Sequence, residues 1–161
     1  MRISSKTAAR GAVIGAVEAI LGTLESYLHS PIPISEFLVP TSYIKGIGKG
    51  AIVGTTIGKT IAYTIGPPSP YKLGFAIIDI PLTIVNSSIA YIAGKYKLKK
   101  FNAIYWPVFI NSLGVSFAAK YLLDVPPDFW ALQTVSFLLL AGLQGIPQYL
   151  MLKFLEKRIK E

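Results

Sequence analysis

The chain has no cysteine and a single histidine, His29. Disulfides, thiolate metal sites and a thiol nucleophile are therefore excluded, and there is no histidine cluster to hold a metal ion. Charge is also scarce. Asp, Glu, Lys and Arg make up 15% of the 161 residues, against about 25% in soluble domains. Hydrophobic residues make up 52% and the mean hydropathy is +0.53. Acids are the scarcer sign, 8 against 16 Lys and Arg, which leaves a net charge of +8. A nucleic-acid binder would gather such cations in a stripe on a soluble surface. Here they sit between apolar runs, so nucleic acid is not expected as a partner and the positive-inside bias of a membrane protein explains them. A signal peptide is not expected either: the first apolar run starts after Arg10, contains Glu18 and lacks a clear cleavage region.

What the chain does have is a series of apolar runs near the ~20 residues that cross a bilayer as a helix. We expect an all-α fold, a single-domain integral membrane bundle of six transmembrane helices at about 7–28, 31–44, 44–66, 73–94, 101–123 and 129–155. The second crossing is short and proline-broken, because Pro31, Pro33 and Pro40 prevent an uninterrupted helix. It also carries Glu36. Non-helical backbone at membrane depth survives only where protein or a water-filled cavity satisfies it, and an intramembrane carboxylate is a candidate site. The competing reading is an external loop with one exposed Glu. Charge separates the two. With the short crossing, Arg2, Lys6, Arg10, Lys45, Lys49, Lys95, Lys97, Lys99, Lys100, Lys153, Lys157, Arg158 and Lys160 all fall on the side of the termini, leaving Lys59, Lys72 and Lys120 elsewhere. This bias predicts a multi-pass protein of the cell membrane with both termini cytoplasmic.

Small residues mark two helix faces. Ala8, Ala12 and Ala16 recur every fourth residue in the first span, with Gly11 and Gly15 beside them. Such stripes let helices approach closely, either a partner protein or a neighbour within the bundle. Gly46, Gly50, Gly54, Gly58, Ala62 and Gly66 form a second stripe, against which a helix should lie. Gly54 to Thr60 invites comparison with the phosphate-binding pattern G-x-x-x-x-G-K-[ST], but the spacing is one residue short and no strand precedes it, so no nucleotide site is expected. Three roles stay open for Lys59: snorkelling, pairing with an intramembrane acid, or touching a ligand.

On this topology Glu25, Glu36, Asp79, Asn111 and Gln133 lie in the outer or middle layer, from five segments, while Glu18 lies nearer the cytoplasm. Converging, they would offer carboxylates and amides to a small ligand rich in N–H donors. The alternative is that each bonds a neighbouring helix, for about 1 kcal/mol or less. Trp130 has an ordinary interfacial role. No Ser/His/Asp constellation is visible, so neither an enzyme nor a cofactor is expected.

The order of motifs resembles the substrate-binding (S) components of energy-coupling factor (ECF) transporters, and within them the QueT-like family of queuosine-precursor transporters. The resemblance is carried by Ile34-Ser35-Glu36 with Leu38 and Pro40, by Gly50 and Gly54, and by Asp79 after a Pro-rich turn. It continues with Pro107 to Asn111, Phe129-Trp130 after Pro126-Pro127, and Lys153-Phe-Leu-Glu-Lys157. The chain departs from the family pattern where Pro33 or Ile34 replaces an Arg, where a Gly-Thr after the Asp is absent, and where Gln144 stands at a late acidic position. The resemblance implies that Glu36 and Asn111 contact the ligand, a vitamin-like molecule such as a 7-deazapurine. It also implies that Ala8, Ala12 and Ala16 dock a transmembrane coupling subunit, and that two separate ATPase subunits supply the energy.

Overall fold

The structure, a computed structural model, describes residues 4–28, 34–68, 72–122, 124 and 127–160, with their side chains except at 118–119, 127–134, 136–141 and 160. Five α-helices, α1 (Ser5–Leu28), α2 (Gly48–Ile65), α3 (Lys72–Lys95), α4 (Lys100–Leu122) and α5 (Pro127–Lys160), are joined by short connections. A sixth helical segment, a 3-10 helix over Ile34–Tyr43, lies between α1 and α2. The all-α expectation holds, with no strand among the described residues. The element ends differ from the expected spans by a few residues, most at α5, which extends to Lys160. The stretch expected to be broken is regular from Ile34 onward. Pro40 fits inside it because the fixed φ of proline suits a 3-10 turn; Pro31 and Pro33 lie outside the described residues.

Glycine sets how the first two helices pack. Gly11, Gly15 and Gly22 of α1 are buried and face Gly50, Gly54 and Ala62 of α2. A Cβ on Gly15 would stand 2.8 Å from the Gly54 carbonyl oxygen, and one on Gly54 would collide with the Gly11 carbonyl. Residue numbers rise together along this seam, so α1 and α2 are parallel. The chain must therefore return between them, and the 3-10 segment does so. Ser35 bonds Glu25 near the end of α1, while the Gly46 carbonyl accepts from Thr7 Oγ1 at 3.3 Å at its start. Gly46 turns the chain into α2 with φ +89°, the left-handed region that glycine tolerates.

The remaining helices alternate in direction. Thr55 Oγ1 and Ser87 Oγ, 3.1 Å apart, join α2 to α3. Asn86 Nδ2 donates to Asn111 Oδ1 at 3.3 Å between α3 and α4, and Lys100 pairs with Glu156 at 2.9 Å between α4 and α5. Six segments thus run back and forth, with Ser5 and Lys160 at one end beside the turns carrying Lys45, Lys49 and Lys95 to Lys100. The 3-10 segment touches all five α-helices and is the centre of the bundle.

The distribution of side chains is inverted relative to a soluble domain. Thr55, Thr83, Asn86, Ser87 and Ser112 are buried without exposure, as is Glu18. Val13 and Ile20 of α1, Ile57 and Ile61 of α2, Ile77 and Ile84 of α3, Leu113 and Phe117 of α4, and Leu143 and Leu150 of α5 face outward. Among the described residues, α1 and α3 carry a continuous window long and apolar enough to cross a membrane. In α2, Lys49, Lys59 and the threonines lower the apolarity.

Candidate functional site

The seam between α1 and α2 fixes the face on which Lys59 stands. It follows Gly58, whose missing side chain makes room for Glu18: a Cβ there would lie 2.5 Å from Glu18 Cβ. The Lys59 side chain is directed to the 3-10 segment and α3, where Nζ lies 3.1 Å from Glu36 Oε1 and 3.1 Å from Asp79 Oδ2. It also donates to Ser35 Oγ at 3.0 Å. The ammonium thus donates to Glu36 and Ser35 and forms an ion pair with Asp79.

The acids around it are held by further bonds. Glu25 Oε2 accepts from the Ser35 backbone N–H at 3.0 Å and from Ser35 Oγ at 2.9 Å. Tyr63 OH donates to Asp79 Oδ2 at 2.9 Å. Glu18, on the next turns of α1 below Glu25, is buried with neither carboxylate oxygen bonded. Two carboxylates thus pair with Lys59, and two further carboxyl groups, Glu25 and Glu18, stand beside it. Ionised carboxylates are acceptors alone, so the cluster is rich in acceptors and suited to a group presenting several N–H donors. Among the described residues no set of three His, Cys, Asp or Glu is placed to hold a metal ion.

Two small cavities flank Glu36. One, of about 60 Å³, is lined by Glu25, Ser35, Lys59, Tyr63 and Asp79. The other, of about 20 Å³, lies between the 3-10 segment, α4 and α5 and is lined by Glu36, Asn111, Ser112, Gln144 and Gln148 with Ile104 and Pro107. Gln148 Nε2 donates to the Glu36 backbone carbonyl at 3.2 Å, tying α5 to the 3-10 segment. Gln148 Oε1, Asn86 Oδ1 and Ser42 Oγ are buried with no bonded partner. These spaces are too small for a purine, since organic-ligand sites measure about 300–1,000 Å³.

Of the expected site residues, Glu25, Glu36 and Asp79 meet around Lys59, and Asn111 and Gln144 share the second cavity with Glu36. The side chains of Gln133 and Trp130 lie outside the described residues. Glu36 was expected on backbone without regular hydrogen bonds; it is in a helical turn instead. Lys59 is the hub of the cluster, which is the acid-pairing role left open for it. Glu18, expected nearer the cytoplasm, lies below Glu25 toward the basic end, at the level of Gly58 beside the cluster. Ser35 stood in the sequence only as part of the Ile34-Ser35-Glu36 motif, and nothing distinguished Tyr63 from other membrane hydroxyls. The small-residue face of α1 divides in two: Gly11 and Gly15 pack inside, whereas Ala8, Ala12 and Ala16 are exposed. No family model, no curated protein and no solved structure matches this chain.

Proposed function

We propose that the chain is the membrane-embedded S subunit of an ATP-driven importer of the ECF type. In this reading it crosses the cell membrane six times with both termini cytoplasmic, and it takes up a vitamin-like molecule, with a 7-deazapurine queuosine precursor favoured. The observation that carries the proposal is the acceptor-rich cluster of Glu18, Glu25, Glu36 and Asp79 around Lys59. It sits toward the end of the bundle away from the lysine-rich turns, inside a shell of exposed apolar side chains. Soluble monomers rarely expose apolar surface on this scale, and buried charges in a lipid-facing bundle are retained where they serve a ligand or an ion.

The exposed Ala8, Ala12 and Ala16 leave a side-chain-poor strip on α1 for a coupling subunit, and two ATPases would be separate chains. Binding of a purine requires the 3-10 segment to move away from α4 and α5, because the cavities are too small to hold one. One observation favours a second reading, a membrane scaffold that transports nothing: Lys59 already neutralises part of the cluster from within. Mass spectrometry of the gently purified protein separates the two. A stoichiometric small molecule supports capture. A preparation without one that also fails to bind any of a panel of purine-like and vitamin compounds supports the scaffold.

A further inference from the structure

A further cavity lies at the opposite end from the acid cluster. It measures about 660 Å³ and opens between the first turn of α1, the turn leading into α2, and the last turn of α3. Lys45, Lys49, Lys95 and Lys97 stand on its wall with Tyr43 and Tyr91. Glu156 is the one carboxylate lining it, and Lys100 holds that group at 2.9 Å. Lys45, Lys49 and Lys97 have no carboxylate partner among the described residues, and Lys95 rests over the Tyr96 ring at 5.4 Å. The α2 N-terminus opens into the same space without a side-chain cap, and the positive end of a helix dipole favours an anion.

Four like charges around one hollow repel one another until an anion enters between them. The volume exceeds what inorganic phosphate needs and lies within the range of organic-ligand sites. The tyrosine rings and Ile44 offer an apolar wall to whatever carries the charge. We propose that this cavity binds a phosphate ester, the lysines receiving the phosphate and Tyr43 and Tyr91 the organic part. Two sources share this chemistry: the headgroup of an anionic phospholipid, which basic pockets on a cytoplasmic face attract, and a soluble phosphorylated molecule. The site is independent of the transport reading and stands or falls without it.

Native mass spectrometry of the delipidated full chain, titrated with dioctanoyl phosphatidylglycerol and with glycerol 3-phosphate, tests it. Saturable one-to-one binding of at least one probe is expected. The Lys45→Gln/Lys49→Gln variant should weaken that binding tenfold or more, while Lys153→Gln/Lys157→Gln, which removes equal charge outside the cavity, leaves it within twofold. Binding of the lipid alone assigns the site to the bilayer, and comparable binding of glycerol 3-phosphate assigns it to a soluble ester. Absence of saturable binding of either probe, or equal losses in the two double variants, overturns the proposal.

Discussion

Lys59 Nζ lies 3.1 Å from Glu36 Oε1, with both side chains nearly inaccessible, and this pair ties the central 3-10 segment to α2. Removing one member of a buried pair leaves an uncompensated charge, at a cost of about 3–5 kcal/mol, whereas replacing all members by neutral groups of similar shape is far milder. Lys59→Met should therefore lower the unfolding midpoint in mixed micelles sharply. Lys59→Met combined with Glu36→Gln and Asp79→Asn should recover most of the loss. If the single variant unfolds like the parent, the pair does not hold the segment in place.

The same Glu36 is the group for which ligand binding should be most sensitive. Glu36→Gln keeps the shape and replaces an acceptor with a donor, leaving N–H groups of a ligand unpaired. This should cost about 1.5–3 kcal/mol, or roughly 10- to 150-fold in affinity. Glu156→Gln, at the basic end, is the control in calorimetric titrations of the purified variants with the co-purifying molecule. Equal losses at Glu36 and Glu156 would remove Glu36 from the site.

How much of this was legible in the sequence depends on the kind of signal. The returning segment was readable from charge alone, because Lys95 to Lys100 falls at the end of the bundle that holds the termini only if residues between α1 and α2 run back through it. The Gly50, Gly54 and Gly58 stripe announced a close neighbour, since a glycine face has few other uses in a helix. It did not say which helix, and α1 became the neighbour through the parallel path that the 3-10 segment permits. The pairing of Lys59 was not readable, because a lysine stem also reaches an interface by snorkelling. The burial of Glu18 beside Lys59 was not readable for a related reason: it follows from the gap left by Gly58 across the α1–α2 seam.

The divided face of α1 gives a paired expectation. Gly54→Ala places a methyl group into the Gly11 carbonyl, backbone against backbone, so α1 and α2 must separate. Overpacking of this kind costs about 1–3 kcal/mol, visible as a lowered unfolding midpoint. Ala12→Leu adds bulk on the exposed side and should leave the isolated protein's stability and ligand binding unchanged while preventing assembly with a coupling subunit. Co-purification with that subunit reads the second effect. Normal assembly of Ala12→Leu would show that the alanine strip is ordinary lipid-facing surface.

Topology can be tested cleanly because the chain has no cysteine of its own. The 3-10 segment carries the chain from Glu25, bonded by Ser35, back to Thr7, bonded by Gly46. The turns after α2 and α4 should then lie outside, and the turn after α3 and the end of α5 inside. Single cysteines at Pro68 and Leu122 should react with a membrane-impermeant maleimide in intact cells. Cysteines at Leu98, which is exposed at the basic end, and at Lys157 should react only after permeabilisation. A bundle lacking the short crossing would place Leu98 outside and the two termini on opposite faces. Labelling of Leu98→Cys in intact cells would therefore eliminate the six-crossing arrangement, and with it the placement of the acid cluster toward the outer face.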